Sequence, residues 1–339
     1  MHIQNEIWLL LDSRQPGGIE THVLQLAYGL MMAKQKVCVV FMQDYGKHPL
    51  KEALRRQKIN QHTIEGGFGA LRQAIKNSHP TLLHTHGYKA GTLGRLAARS
   101  CGTPVISTFH AGETPKGKLA IYDLLDRYTA FLAHKVLAVS PAIAKRLPLR
   151  TTLIDNFVNT EHLSLSQGHE IAFVGRLSEE KGPDYFVEIA NRLPHIPFTI
   201  YGDGPLGPSL KKSAPPNLVF HGQQNDMAKI WPRIGLLVMP SRAEGLPMAA
   251  LEAMAQGIPV LASHVGALHR LINHKINGWL ETSGDLSAFE QQICKWHRQP
   301  QTVTRSMALN ARNTVQQNFS SQAVIPQLLQ HYQTVVDGC

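Results

Sequence analysis

The stretch SRAEGLPMAALEAMAQG, residues 241–257, lies between the apolar runs LLVM at 236–239 and VLA at 260–262. Pro247 suits the first turn of a helix, where its missing N–H has no partner to lose, and Gly257 suits the end of that helix. The two apolar runs have the length of buried strands. The stretch therefore predicts a strand, a helix and a second strand, the repeating unit of a parallel sheet.

The same alternation continues in both directions from this unit, as is typical of parallel α/β proteins. We expect two Rossmann-like, doubly wound domains, residues 1–160 and 161–320, with the polar stretch 164–169 as linker. A helical C-terminal segment, 321–339, is expected to pack back on the first domain. The predicted strands of the two halves are 7–11, 37–41, 82–84, 105–109 and 135–139, then 171–174, 198–201, 218–221, 236–239 and 260–262.

Composition limits the class of protein and its partners. The chain has 339 residues, 43% of them hydrophobic, enough for two domains with large cores. Its formal net charge of +10 indicates an anionic partner: a nucleic acid, an anionic lipid surface or a phosphorylated small molecule. The sequence has no run of five Lys or Arg, so we do not expect nucleic-acid binding. The four cysteines have no paired spacing, so neither a zinc site nor disulfides are expected, and a reducing compartment is indicated.

A glycine turn follows the first predicted strand. Pro16, Gly17 and Gly18 lead directly into a predicted helix, where backbone N–H groups and the helix dipole favour a phosphate. Plain turn chemistry is the alternative at this point. The Gly-x-Gly-x-x-Gly pattern of a nicotinamide dehydrogenase is missing here.

A second candidate phosphate site follows the first strand of the second half. In GRLSEEKG, residues 175–182, Arg176 and Lys181 flank a turn. Arg can make a forked contact with a diphosphate and Lys can act as a point charge, at the strand ends where doubly wound sheets bind ligands. A solvated loop in which the two cations pair with Glu179 and Glu180 remains open.

Residues 241–257 contain two candidate binding acids, Glu244 and Glu252. Glu244 precedes the predicted helix, beside free N–H groups, whereas Glu252 lies inside an otherwise apolar, Ala-rich helix and needs a partner there. An acid that faces a pocket can accept hydrogen bonds from sugar hydroxyls. The alternative is a helix-capping Glu244 with an exposed Glu252.

The spacing of Glu244 and Glu252, with seven residues between them, resembles the hallmark of the family 4 glycosyltransferases of the GT-B fold. The likeness extends from about residue 7 to about residue 320. It implies an α/β GT-B protein with an interdomain cleft, which transfers a hexose-type sugar from a nucleotide diphosphate donor with retention of configuration. Other motifs of the family, in their expected order, are GGIE at 17–20, TFH at 108–110, VSP at 139–141, GRLSEEKG at 175–182 and YGDGP at 201–205.

The resemblance implies that residues 241–257 bind the donor sugar and the ribose. Glu252 would hold the ribose hydroxyls. Glu244, as a catalytic residue, and the backbone of Gly245, Leu246 and Pro247 would contact the donor sugar.

The resemblance also identifies the cations that bind the diphosphate and a second catalytic residue. Arg176 and Lys181 would neutralise the diphosphate without a metal or other cofactor, with the turn at Gly17 and Gly18 beside them. His110 would lie next to the reacting sugar. The mechanism implied is front-face displacement, in which preplaced cations and N–H groups stabilise the departing diphosphate.

The chain departs from the family pattern at two places. Where the family often has Gly-Gly-x-x-Glu, this chain has GALHR, so that Arg270 replaces a glutamate. Near the domain junction, NFVN at 156–159 replaces Asn-Gly-Val-Asp. Both departures leave the preferred base and sugar open.

Two other functions compete with a transferase. His84 and His86 alternate along a strand, face the same side and could ligate zinc in a metal-dependent hydrolase, although no third ligand set is evident. A non-catalytic nucleotide-sugar-binding protein on the same fold is the other alternative. Intact Glu244, Glu252 and Lys181 argue against that second possibility.

The acceptor and the cellular location rest on weaker signals. A glycan or lipid-linked glycan is the implied acceptor. Within residues 116–139, Leu119, Tyr122, Leu125, Tyr128 and Leu132 recur at helical spacing and could contact an anionic membrane, although an ordinary core face would give the same pattern. The N-terminal segment MHIQNEIWLLLDS is interpreted as a strand, not a secretion signal. We expect a cytoplasmic protein, peripheral on the cytoplasmic face of the inner membrane.

Overall fold

The computed structural model describes residues 6–14, 17–110, 117–224 and 226–339. The chain forms two compact units, one of residues 1–159 with 321–339 and one of residues 160–320. Among the described residues, no helix is long and apolar enough to cross a membrane.

Two parallel sheets organise the described residues, which confirms the predicted α/β class. The order of the first is β3-β2-β1-β4-β5-β6-β7, and that of the second is β10-β9-β8-β11-β12-β13. The strands are β1 Ile7–Leu11, β2 Val37–Phe41, β3 Asn60–Thr63, β4 Leu82–His86, β5 Val105–Phe109, β6 Lys135–Ala138, β7 Thr152–Leu153, β8 Glu170–Val174, β9 Phe198–Tyr201, β10 Leu218–Phe220, β11 Ile234–Met239, β12 Val260–Ser263 and β13 Gly278–Glu281.

Helices connect these strands and cover the sheets, as parallel crossovers require. Short 3-10 turns lie among them, for example Ala130–Leu132. The helices are α1 Gly18–Met32, α2 Pro49–Arg56, α3 Gly67–Ser78, α4 Tyr88–Cys101, α5 Lys118–Tyr128, α6 Pro141–Lys145, α7 Pro183–Arg192, α8 Gly207–Lys212, α9 Met248–Ala255, α10 Leu268–Leu271, α11 Leu286–Arg298, α12 Gln301–Asn318 and α13 Ser321–Asp337.

The central strand β1 explains why its sequence is a continuous apolar run. Ile7, Leu9 and Leu11 belong to one buried cluster, and Trp8 and Leu10 belong to the cluster on the other face of the sheet. Both faces are therefore buried, as expected for a parallel strand covered by helices on each side.

Three strands that the sequence did not predict all lie at sheet edges. They are β3, β7 and β13. β3 alternates exposed and half-buried residues, and β7 has only two residues. β3 and β7 bury little apolar surface, so they lack the buried apolar run by which other strands were recognised.

The C-terminal helix α13 contributes to the core of the first unit. Val324, Ile325 and Leu328 are buried in the cluster that contains β1 and α1. Gly29 of α1 permits this contact, because a Cβ atom there would lie 2.8 Å from Cδ1 of Ile325.

The polar stretch 164–169 is packed against the second unit instead of forming a free linker. The Ser166 amide donates to the Gln256 carbonyl over 2.8 Å. A Cβ atom on Gly168 would lie 1.9 Å from the carbonyl carbon of Arg233. Glycine and serine are needed here for close packing, so their small polar character was not evidence of flexibility.

Helix α5 is polar on its buried side and apolar on its exposed side. Asp123 and Asp126 are buried, whereas Tyr122, Leu125 and Tyr128 are exposed. The alternative of an ordinary core face is therefore wrong for these three residues. Lys116, at the start of the predicted region, lies outside the described residues, as does the side chain of Leu119. The exposed large apolar residues of this segment are Ile121, Tyr122, Leu124, Leu125, Tyr128 and Phe131.

Buried ion pairs account for the orientation of α5. Arg95 of α4 is fully buried, and its Nη2 donates to Oδ1 of Asp126 over 2.7 Å. The same nitrogen donates to the Asp126 carbonyl and to Oγ1 of Thr129, each over 2.7 Å. Gly91 makes room for this contact, because a Cβ atom there would lie 2.1 Å from Oδ1 of Asp126.

Candidate functional site

The loops after β8 and β11 meet at the point where the strand order of the second sheet reverses, the usual ligand site of a doubly wound sheet. Glycines allow the loop after β9 to join them. A Cβ atom on Gly202 would lie 1.9 Å from the Gly175 carbonyl oxygen, and one on Gly204 would lie 2.6 Å from that of Leu177. The motifs GRLSEEKG and YGDGP are therefore packed backbone to backbone.

Glu244 is held between two donors. Its side chain is 2% exposed, and Oε2 lies 2.7 Å from Nζ of Lys181. Oε1 accepts a hydrogen bond from Oγ of Ser241 over 2.8 Å. Helix α9 begins at Met248 and has no side-chain cap, so the alternative in which Glu244 caps that helix is wrong.

The two cations of GRLSEEKG differ in their surroundings. Lys181 pairs with Glu244 and not with the neighbouring acids Glu179 and Glu180. Arg176 is exposed and, among the described residues, makes no ion pair. One cation is thus fixed beside a carboxylate, and the other is free to bind an anion.

Arg242 holds the two loops together, a role that the sequence did not predict. Its guanidinium donates to Oδ1 of Asp184 over 2.8 Å and lies 3.8 Å from the ring centroid of Tyr185. The Arg242 amide donates to the Glu180 carbonyl over 2.8 Å. Its position inside the motif was visible in the sequence, but its partner, 58 residues away, was not.

Glu252 lies in α9 and is half-buried, so the alternative of an exposed side chain is wrong. Its Oε2 accepts a hydrogen bond from Nε1 of Trp231 over 3.2 Å. Burial raises the pKa of the Glu252 carboxyl to about 7, and the Trp231 hydrogen bond opposes this shift. The partner that an acid in this helix requires is therefore an indole N–H.

The segment after Glu244 packs against the loop that follows β12. Leu246 is buried, and the Gly245 carbonyl accepts from the Ala267 amide over 3.0 Å. Gly266 has a φ of 58°, and a Cβ atom there would lie 2.1 Å from the Glu244 carbonyl oxygen. The glycine of the altered GALHR segment is thus required by the backbone of Glu244. Pro247 directly precedes α9 as its N-cap residue.

The turn at Gly17 and Gly18 begins α1 in the first unit. Both glycines are exposed, and a Cβ atom on Gly18 would meet no atom of the described part of the chain within 4 Å. Glu20 lies in the first turn of the helix, and burial raises the pKa of its carboxyl while a Ser13 hydrogen bond opposes the shift. Pro16 lies outside the described residues.

His110 follows β5 and lines a small cavity in the first unit. The cavity is also lined by Thr108, Asp123, Arg127 and Arg146. Asp123 accepts from Nε of Arg127 over 3.0 Å and from Nη2 of Arg146 over 3.1 Å. The sequence reasoning missed this set, although the polar spacing within the apolar segment IYDLLDRY could have indicated it.

The prediction that His84 and His86 could together bind zinc is wrong, because His84 has no free ring nitrogen. Its Nδ1 lies 2.6 Å from the Tyr332 hydroxyl and its Nε2 lies 2.7 Å from Oγ1 of Thr108, so both ring nitrogens are already used. Among the described residues, the group with metal-ligand geometry is His22, His86 and His110, whose ring nitrogens lie within 4.8 Å of one another.

Comparisons with known proteins agree with this architecture. The family model described as Glycosyltransferase Family 4 matches residues 16–162, and that described as Glycosyl transferases group 1 matches residues 168–299. A UDP-Gal:alpha-D-GlcNAc-diphosphoundecaprenol alpha-1,3-galactosyltransferase of Escherichia coli is 29% identical over 290 residues, 74% of each chain. An O-antigen biosynthesis glycosyltransferase of Escherichia coli is 27% identical over 216 residues, 60% of this chain and 64% of the relative.

Solved structures show the same fold. Anabaena HepE in complex with UDP-glucose aligns with a TM-score of 0.82 and 19% identity, covering 97% of this chain and 99% of that one. The fold is therefore GT-B. Two family models match most of the chain, the loops they contain carry the ordered motifs, and the relatives are glycosyltransferases. The chain belongs to the family 4 glycosyltransferases.

Proposed function

We propose that this glycosyltransferase moves a hexose from a nucleotide diphosphate donor to a lipid-linked glycan, with retention of configuration and without a metal. The observation that carries the proposal is the buried Glu244 carboxylate, held by Lys181 and Ser241 next to the loop that bears the unpaired Arg176. Such a site offers one fixed and one free cation to a diphosphate and a fixed acceptor to a sugar hydroxyl.

The donor binds to the second unit in this proposal. Lys181 and Arg176 neutralise the diphosphate, which is the work that a divalent metal does in other transferases. Glu252 accepts hydrogen bonds from the ribose hydroxyls. Glu244 accepts one from the sugar, and the backbone from Gly245 to Pro247 positions the ring.

The chemistry is a front-face displacement. The acceptor hydroxyl oxygen forms a bond to the anomeric carbon as the bond from that carbon to the diphosphate oxygen breaks. The hydroxyl proton passes to the departing phosphate oxygen. Negative charge grows on the leaving group, so preplaced cations stabilise the transition state more than the ground state.

The acceptor is inferred from the relatives and from α5. The galactosyltransferase relative is described as acting on a diphosphoundecaprenol-linked sugar. The α5 segment exposes Ile121, Tyr128 and Phe131 by 61%, 63% and 68%. Its two acids are buried, so the exposed face carries no negative charge that would repel an anionic surface. A net charge of +10 further favours the cytoplasmic face of an anionic membrane.

A panel of nucleotide sugars tests the donor. UDP-linked hexoses come first, because one relative uses UDP-Gal and HepE was solved with UDP-glucose. We expect one donor to raise the melting temperature and to be transferred, with unchanged rate in EDTA and with the anomeric configuration of the donor retained in the product. Transfer that stops in EDTA, or an inverted product, would contradict the proposal.

Liposome co-sedimentation tests the membrane contact. We expect binding to anionic vesicles that decreases when Ile121, Leu124 and Phe131 are replaced together by Ser. Ile276→Ser with Val303→Ser is the matched control, because these apolar residues of the second unit are also exposed. Equal binding to neutral and anionic vesicles, or self-association through the same residues in the absence of lipid, would contradict a role in docking to an anionic membrane.

A further inference from the structure

Four histidines meet at the carboxyl ends of β4 and β5 in the first unit. His84 and His86 belong to β4, His110 follows β5, and His22 lies in α1. Ring centroids are 4.2 Å apart for His84 and His86, 5.3 Å for His86 and His110, and 4.6 Å for His22 and His110. Of this set, the family resemblance assigns a role to His110 alone, next to the reacting sugar.

His84 is satisfied by its hydrogen bonds to Tyr332 and Thr108, which use both ring nitrogens. His86 is different. Its Nδ1 lies 3.0 Å from Nε2 of His110, whereas its Nε2 is buried and has no hydrogen-bond partner among the residues that the structure describes. The contact between His86 and His110 therefore controls where the protons of these two rings can be.

Both rings are neutral near pH 7. The pKa of His86 lies well below its usual value because the ring is buried and because His84, His110 and His22 are close. Burial, with His22 and His84 nearby, lowers the pKa of His110 in the same way. Each neutral ring carries one proton, so one ring donates in the contact and the other accepts.

The unpartnered nitrogen decides the direction of that hydrogen bond. A proton on Nε2 of His86 would leave a buried N–H without an acceptor, and orphaned N–H groups are rarer than under-satisfied acceptors. His86 therefore carries its proton on Nδ1 and donates it to Nε2 of His110. Since Nε2 of His110 accepts, its own proton lies on Nδ1.

We propose that His86 is a positioning residue that locks His110 in the Nδ1–H tautomer, so that His110 acts as a neutral hydrogen-bond donor and not as a general base. The ligand class is an oxygen acceptor, a sugar hydroxyl or ring oxygen, at the cavity that His110 lines. The catalytic part rests on the proposed function. It agrees with the front-face step, in which the acceptor proton goes to phosphate and no side-chain base is needed.

The tautomer is read directly by two-bond ¹H–¹⁵N correlation NMR on the full chain labelled with ¹⁵N-histidine, with His110 assigned from the spectrum of His110→Asn. We expect the Nδ1–H pattern for His110 in the natural chain. His86→Asn should keep that pattern, because its amide N–H can occupy the place of the imidazole Nδ1–H. His86→Phe, which has no donor, should return His110 to the Nε2–H form.

Thr85→Val is the matched control for a purely structural effect. Thr85 is buried in the same strand and bonds to Ser107 over 2.8 Å, away from the His86 contact. This change should lower stability and leave the His110 tautomer unchanged. An Nε2–H pattern in the natural chain, or an unchanged pattern in His86→Phe, would overturn the proposal. So would stoichiometric bound metal in the purified chain, with both rings shifted as ligands.

Kinetics separate this proposal from the proposed function. We expect His86→Phe to lower kcat by up to about 100-fold, as for a misplaced catalytic group. The affinity for nucleotide should stay unchanged. In His86→Asn, kcat should return to the value of the natural chain. An equal kcat in all three chains would overturn the catalytic part. If no nucleotide sugar were transferred, the proposed function would fail, and the NMR result would still decide the tautomer.

Discussion

At the scale of single residues, Lys181 and Glu244 are the pair on which donor binding depends. The carboxylate is nearly buried and the ammonium is partly exposed, so Lys181 can offer charge to a ligand without leaving Glu244. The Ser241 hydroxyl is the second donor to the same carboxylate.

Lys181→Ala should weaken nucleotide diphosphate binding by about 10- to 100-fold, the loss expected for one charge-assisted contact. Isothermal titration calorimetry with UDP measures it. Lys211→Ala, at an exposed position on α8, is the control and should bind normally. Equal affinities for the two variants would remove Lys181 from the site.

Glu252 should make nucleotide affinity depend on pH. Its pKa is raised to about 7, so the carboxyl is largely protonated below pH 7 and ionised above it. The ionised form accepts from both ribose hydroxyls, so affinity should fall by at most about tenfold per pH unit below 7. In Glu252→Gln this pH-dependent step should disappear; parallel pH curves for the two chains would contradict the assignment.

Sequence reasoning identified the chemistry of these residues better than their partners. The order of motifs indicated that Lys181 and Glu244 serve one ligand. It could not indicate that Lys181 would pair with Glu244 in preference to the adjacent Glu179 and Glu180. Partner choice depends on which loops the parallel sheet brings together, here those after β8 and β11.

At the scale of elements, α5 is anchored by charge and not by an apolar face. Arg95 and Asp126 are almost completely buried as an ion pair. Such a pair contributes little compared with an apolar replacement, but removal of one partner leaves an uncompensated buried charge.

Arg95→Met should therefore destabilise the first unit by about 3 to 5 kcal/mol, because the Asp126 carboxylate loses its cation. Arg95→Met combined with Asp126→Leu should recover most of that loss. Urea unfolding of each variant measures it, with Lys76→Ala on the exposed face of α3 as the control. A double variant less stable than the single one would contradict this account.

The elements also show why a periodic pattern can be read in two ways. The apolar spacing in α5 was recognised in the sequence, but spacing alone does not say which side of a helix faces the sheet. The buried side was decided by the pairing of Asp126 with Arg95 and of Asp123 with Arg146, both of which lie outside α5. Strands buried on both faces, such as β1, were predictable because no such choice arises.

At the scale of the whole molecule, the two units should respond to acid in opposite ways. Burial lowers the pKa of His22 to about 4 and that of His84 to about 3, and it also lowers those of His86 and His110. In the second unit, the raised pKa of Glu252 has the opposite effect on stability, because protonation of a buried carboxyl favours the folded state.

Acidification should therefore weaken the first unit. A histidine whose pKa is lower in the folded than in the unfolded protein makes its full contribution to the free energy of unfolding above the unfolded pKa of 6.5. This contribution is lost as the pH falls toward the pKa of the folded state. From pH 6.5 to pH 5, His22, with a pKa of about 4, lowers the free energy of unfolding by about 2 kcal/mol. Asp126, with a pKa raised to about 7, offsets part of that loss.

Hydrogen exchange at pH 7.5 and pH 5 measures both units at once. After correction for intrinsic exchange rates, amides of β1, β4 and β5 should lose protection at the lower pH. Amides of β8 and β11 should keep theirs, since Glu252 protonates on acidification and a buried neutral acid is favoured. Uniform loss across both sheets would contradict a histidine origin.

The place of α13 in the core of the first unit has a consequence for synthesis. Residues 160–320 are contiguous, so the second unit has all its strands as soon as that segment has left the ribosome. The first unit, although translated earlier, lacks Ile325 and Tyr332 until the last helix emerges. The order of folding on the ribosome should therefore be the reverse of the order of translation. A nascent chain stalled before Ser321 would keep an uncovered apolar groove beside α1, a natural substrate for chaperones.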